Sequence, residues 1–90
     1  MATRYRHDPN AVLDYSWDWT AWLAAGESIT SHTVVVPAEL TLDSSAADTG
    51  HVTAWISGGV NRGDYEVTCR ITTDQGRTDD RSIMLLVLDR

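Results

Sequence analysis

Between His51 and Ser57 the chain alternates, with Val52, Ala54 and Ile56 apolar and Thr53 and Ser57 polar, until Gly58-Gly59 breaks the pattern. Tyr65, Val67, Cys69 and Ile71 then alternate with Glu66, Thr68, Arg70 and Thr72, and Asp74-Gln75-Gly76-Arg77 supplies turn residues. Ile83 to Leu88 returns as a nearly continuous apolar run. A period of two places every second side chain on one face, so the pattern predicts three consecutive β-strands of a half-buried antiparallel sheet. Their inward set is Val52, Ala54, Ile56, Tyr65, Val67, Cys69 and Ile71.

The N-terminal half repeats the theme. Leu13, Tyr15, Trp17, Trp19 and Ala21 share one phase, while Asp14, Ser16, Asp18 and Thr20 occupy the other, which predicts a long strand with one apolar side. Ala21 to Ala25 could add a helical turn before Gly26. Ile29 to Val36 reads as the next strand and stops at Pro37, which cannot donate to a ladder. Leu40 and Leu42 suggest a short strand, and the small and polar residues from Asp43 to Gly50 read as a loop. About six to seven short strands with regular turn signals predict an all-β, immunoglobulin-like antiparallel sandwich. Residues 1–11, polar and containing Pro9, read as an extended N-terminal arm, and residues 12–90 as the sandwich domain.

Charge narrows the partners. The 90 residues carry 13 acidic and 7 basic side chains, a formal net charge of −6, and every basic residue is arginine. An acidic surface argues against nucleic acid, because phosphate binding needs a concentrated basic patch. The N-terminus has no apolar stretch long enough for a signal peptide or a membrane span, so the expectation is synthesis in the host cytoplasm and no membrane partner. Cys69 is the only cysteine, so no internal disulfide can form, and its strand phase makes it a buried hydrophobe rather than a nucleophile.

Catalytic and metal-binding patterns are weak. His7, His32 and His51 lack metal-ligand spacing and read as surface residues. No Gly-x-Ser-x-Gly elbow accompanies the serines, and Gly58-Gly59 lacks the lysine of a phosphate loop. Asp79-Asp80 and Asp43 with Asp48 read as solvated loop acids rather than a calcium loop. The expectation is no enzyme and no cofactor. Arg62-Gly63-Asp64 spells an adhesion tripeptide, but Gly63 reads more simply as a turn residue before the strand at Tyr65.

Tryptophan is abundant, with four in the chain. Trp17 and Trp19 share the phase of the core, whereas Trp55 falls opposite Ala54 and Ile56, and Trp22 is out of phase with Trp19. An outward indole can anchor a protein partner or stack on a sugar, and a bulge could instead bury it.

The runs Asp8-Pro9-Asn10-Ala11-Val12-Leu13-Asp14-Tyr15, Asp18-Trp19-Thr20 and Trp22-Leu23 resemble the opening of small virion proteins of tailed bacteriophages, of the fiber–tail adaptor or head–tail region type. Glu27-Ser28-Ile29, Val36-Pro37-Ala38-Glu39-Leu40, Thr53 to Gly59, Gly63 to Val67, Thr72 to Arg77 and Arg81-Ser82-Ile83 extend the resemblance in order along nearly the whole chain. Val60-Asn61-Arg62 departs from the plainer loop of that family. The resemblance implies a non-enzymatic virion protein, an adaptor, connector or decoration subunit present in many symmetric copies. Its partners would be other virion proteins of the tail, neck or capsid. The alternative is a carbohydrate-binding sandwich that uses exposed tryptophans. The residues expected at the partner interface are Arg4, Tyr5 and Arg6 of the arm, Trp55, and Val60, Asn61 and Arg62 of the loop, with the tail Asp89-Arg90 as a further contact.

Overall fold

A computed structural model describes residues 3–88. Seven strands run in order: β1 (Thr3–His7), β2 (Val12–Asp18), β3 (Ile29–Val35), β4 (Leu40–Ala47), β5 (His51–Gly58), β6 (Asp64–Thr73) and β7 (Thr78–Val87). They form a four-stranded sheet ordered β1-β7-β6-β3 and a three-stranded sheet ordered β2-β5-β4. Strands β3, β6 and β7 occupy the places of the C, F and G strands of an immunoglobulin-like sandwich, and β2, β5 and β4 those of B, E and D. The first strand lies against the last, in parallel, with Thr3 opposite Ile83 and His7 opposite Val87.

The alternation translates directly into the core. Val52, Ala54, Ile56, Val67, Cys69 and Ile71 are fully buried, Tyr65 nearly so, and they form one core cluster with Tyr15, Trp17, Trp19, Leu85 and Val87. Each large side chain removed from water contributes about 1.5–3 kcal/mol, against about 0.5–1.5 kcal/mol net for an ordinary hydrogen bond. Burial pushes the Cys69 thiol up to about 12, so it stays neutral and packs as a hydrophobe.

Several elements differ from the sequence reading. The segment read as a free arm contains β1, and Leu88 N–H donates to His7 O just beyond the ladder. Polar side chains do not prevent this, because a ladder is built from backbone groups and an edge strand leaves one flank in water. The same reason extends β4 through Ala47, where a loop was expected, and starts β7 at Thr78 rather than Ile83. A register shift between Leu42 and Ser44 marks a bulge in β4. Leu13 is exposed despite its inward phase, because it lies at the open end of the sandwich beside His7 and Leu88. Ala21 is also exposed, since β2 ends at Asp18 and the chain turns, with Trp22 N–H and Leu23 N–H donating to Trp19 O.

His7 is not a surface residue. It is buried, and its Nδ1 shares a 2.7 Å hydrogen bond with Tyr15 Oη. Asp79 and Asp80 belong to β7 rather than to a loop. Trp19 Nε1–H donates to Asp79 Oδ2 at 2.9 Å, and Arg70 grips Asp80 with two hydrogen bonds. Asp43 lies in β4, and Asp48 accepts the Gly50 and His51 amides in the β4–β5 turn. Trp22 is half-buried, because the loop that carries it is pinned. Buried Glu27 accepts from Arg77, from Thr73 Oγ1 at 2.6 Å and from Ala24 N–H at 2.9 Å, while the Arg77 guanidinium lies 3.8 Å over the Trp22 ring.

The β5–β6 connection is a tyrosine corner. Val60 N–H donates to Tyr65 Oη at 3.0 Å, and a Cβ at Gly63 would meet the Tyr65 ring at 2.6 Å. Glycine in Arg62-Gly63-Asp64 thus makes room for the tyrosine, which explains the tripeptide without an adhesion role. Two stability effects follow. Tyr65→Phe is expected to cost about 1–2 kcal/mol, and Gly63→Ala more, by urea denaturation.

The hydrogen bonds from Arg77 and Thr73 hold the Glu27 carboxyl down to about 2. A depressed folded-state value means that its stabilisation is complete above the ordinary carboxylate range and is lost as pH falls towards 2. The melting temperature of the wild type should therefore drop through this window more steeply than that of Glu27→Gln.

Candidate partner interface

The expected interface residues occupy two separate regions. Arg4 and Arg6 alternate with Tyr5 and buried His7 along β1, opposite Met84 and Leu86 of β7. This puts both arginines on the outer face of the four-stranded sheet. Arg4 Nη1–H donates to Asp64 Oδ2 at 2.8 Å, an exposed pair whose contribution to stability is small. Val60, Asn61 and Arg62 form the turn at the same end of that sheet, where Arg62 N–H donates to Val87 O and Val87 N–H to Gly63 O. Arg62 adopts a left-handed backbone, with φ of 71°, and its side chain is exposed. The fold thus brings the first strand and the turn together.

Trp55 is elsewhere. It lies at the centre of the three-stranded sheet, between Asp14 of β2 and Ser44 of β4, and is 38% exposed. Its neighbours on that outer face are Thr53, Ser57, Ser16, Ala46 and the exposed Val12. The indole has the Asp14 carboxylate beside it on that face. The Asp89-Arg90 tail lies outside the described residues.

The sequence reading missed a groove between the sheets on their β1–β2 side. It has a volume of about 650 Å3, with Tyr5, Trp17 and Ile83 on its walls and Asp18, Glu66 and Asp80 among its charged lining residues. Strand β1 pairs with β7 only from Ile83 onward, so among the described residues Thr78 to Ser82 have no β1 residue alongside. Trp17 is almost wholly buried, and among the described residues its Nε1–H has no hydrogen-bond acceptor. Leaving such a donor unsatisfied costs about 1–3 kcal/mol. No periodicity signals an orphan donor, because phase predicts burial and not the partner of a ring nitrogen.

Among the described residues, no group of His, Cys, Asp and Glu is arranged to hold a metal ion. His32 Nε2 and Ser45 Oγ share a 3.0 Å hydrogen bond between β3 and β4, and His51 lies 3.1 Å from Asp48.

His7 controls the seat of β1. Burial pulls its pKa below the ordinary imidazole value, outweighing the attraction of Asp8. Its Nε2 is buried without a partner among the described residues, so the doubly protonated ring would hold an N–H there with neither water nor an acceptor. A lowered folded-state value means that stability is complete above the unfolded imidazole range and is lost as pH falls through it. Amide exchange in β1 should accelerate relative to that in β6 as pH drops below about 6.5, and His7→Phe should flatten that dependence.

No curated protein matches the chain. Residues 7–86, which span the sandwich from the end of β1 to the penultimate residue of β7, match a protein family described as the podophage GP4 fiber-tail adaptor protein gp77. The match covers most of the chain, and the protein belongs to this phage fiber-tail adaptor family.

Proposed function

We propose that the chain is a non-enzymatic virion subunit, made in the host cytoplasm, that links other virion proteins through the β1 edge and the neighbouring β5–β6 turn. The family implies a structural component of the particle that binds tail proteins. The observation that carries the finer reading is the joint position of β1 and the turn. Arg4, Tyr5 and Arg6 lie on an edge strand whose outer flank has no neighbour in the sheet, and Val60, Asn61 and Arg62 adjoin its far end.

An edge strand offers backbone donors and acceptors to an extended partner, and its alternate side chains supply specificity. Arginine suits this role, because its planar fork binds carboxylates bidentately. Copies arranged with the symmetry of a tail would repeat the contact, so that modest affinity per copy suffices. Attachment at the neck or on the capsid surface would use the same surfaces.

The second reading is carbohydrate binding at Trp55. Its support is the outer face of the three-stranded sheet, where the exposed indole has Asp14 on one side and Ser44 on the other. Such a platform can stack a sugar ring while the carboxylate accepts from its hydroxyls.

Particle composition separates the two. In phage carrying Arg4→Ala with Arg6→Ala, copies of the chain per particle should fall at least tenfold by quantitative mass spectrometry, with an unchanged circular dichroism spectrum of the purified protein. Normal incorporation would sink the edge claim. Trp55→Ala should leave incorporation unchanged if that indole contacts sugar, and should abolish glycan-array binding.

A further inference from the structure

The outer face of the four-stranded sheet divides into two parts along its strands. Away from the β5–β6 turn, its polar side chains satisfy one another across β6 and β7. Thr72 pairs with Thr78, Arg70 grips Asp80 with two hydrogen bonds, and Thr68 shares a 2.8 Å hydrogen bond with Ser82. Nearer the turn, two rows of different chemistry cross β1, β7 and β6. Arg4, Met84 and Glu66 stand side by side in one row, and Arg6, Leu86 and Asp64 in the other. Both rows lie wholly among the described residues. We infer that this striped face binds a second copy of the chain, related to the first by a two-fold axis parallel to β7.

The core sets the orientation of the stripe. Ile83, Leu85 and Val87 are buried, so the period of two turns Met84 and Leu86 outward, where both remain partly exposed. By the same alternation with buried His7, Tyr65 and Val67, the exposed Arg4, Arg6, Asp64 and Glu66 point outward too. An apolar column on β7 is thus flanked by arginines on its β1 side and by carboxylates on its β6 side.

This order of columns complements itself. A half-turn about an axis parallel to β7, between two such faces, sets β7 over β7 and β1 over the β6 of the other copy. Arginine then meets carboxylate in both rows and on both sides, while the apolar columns meet each other. A half-turn about an in-plane axis perpendicular to the strands would stack arginine on arginine. Self-complementarity of this kind is what an isologous contact requires. Sheets pack face to face about 10 Å apart, a gap that arginine spans.

Within one chain the stripe is only half satisfied. Arg4 reaches across β7 to Asp64 at 2.8 Å, whereas Arg6 and Glu66 have no ion-pair partner among the described residues. The Arg4–Asp64 pair is exposed, so trading it for the equivalent pair between copies costs little. Arg6 and Glu66 gain partners, and a guanidinium binds a carboxylate bidentately. Two rows cover only part of the face, so the contact is weak, with a dissociation constant of about 0.1–1 mM. It shares Arg4 and Arg6 with the contact proposed above but uses the face of the sheet rather than its edge, and it stands or falls independently of the adaptor reading.

The test is sedimentation velocity of the purified full chain from about 10 μM to about 2 mM, a range that brackets this affinity. A monomer–dimer equilibrium is expected. Arg4→Glu with Arg6→Glu makes the stripe acidic on both sides, and Asp64→Arg with Glu66→Arg makes it basic on both sides. Each variant alone should associate at least tenfold more weakly. Mixed in equal amounts, the two should form a heterodimer with an affinity within threefold of wild type, because every arginine again faces a carboxylate. Circular dichroism checks that each variant folds. Should a charge-swapped variant fail to fold, Met84→Ser carries the test, with association at least threefold weaker and the melting temperature unchanged.

A wild type that stays monomeric throughout the range would overturn the proposal. So would association that the variants leave intact, or a mixture of the two swapped variants that remains monomeric. Incorporation into particles is measured separately and bears only on the adaptor reading. A chain that dimerises as described but is absent from particles would sink that reading and support this contact.

Discussion

Everything in this fold depends on burying one face of each sheet against the other, since Cys69 alone offers no disulfide. Trp17 of one sheet, Trp19 just beyond it, and Val67, Ile71 and Leu85 of the other sheet close the interior. Each such side chain contributes about 1.5–3 kcal/mol, whereas a net hydrogen bond contributes about 0.5–1.5 kcal/mol. Packing therefore supplies the stability. The polar ties between sheets fix their alignment: His7 with Tyr15 on one flank, His32 with Ser45 on the other, and Trp19 with Asp79 near the end. Because the His7–Tyr15 and His32–Ser45 ties join strands of different sheets, a slip of one register step would break them as well as invert the core.

The two flanks of the sandwich are not equivalent. On the β3–β4 side, both edge strands carry register shifts, and His32 bridges them. Bulges and short polar edges are how sheets discourage stray pairing. On the β1–β2 side, β1 pairs with β7 from Thr3 opposite Ile83 to His7 opposite Val87, and a groove and an indole without a partner among the described residues lie beside it. The β1 contact proposed above lies on the flank whose first strand carries buried His7, whose pKa burial lowers.

The strongest alternation was the most legible. The inward set from Val52 to Ile71 could be read from the sequence because, at a period of two, burial demands apolar residues on one face only. Trp55 was legible for the same reason, as the large side chain on the wrong phase. By contrast, β1, most of β4 and the first half of β7 were hidden, since their ladders depend on backbone groups that every residue carries. The arm and turn residues could be named from the sequence, but not their adjacency, which arises because β1 pairs with β7 and the turn hydrogen-bonds to Val87. His7 was misread because its environment comes from Tyr15 in the other sheet, eight residues away, and nothing local announces it.

The sequence by itself determined the strands with a buried face, the absence of a disulfide, the acidic surface and the residues available for contact. All of these follow from side-chain chemistry taken at a period of two. Only the tertiary structure decided that the first strand joins the last, that Gly63 serves the Tyr65 ring, and that Trp17 keeps a donor without an acceptor. These are properties of pairs brought together from distant positions. Backbone ladders can form between many segments, and the choice among them is made by which arrangement closes both apolar faces at once.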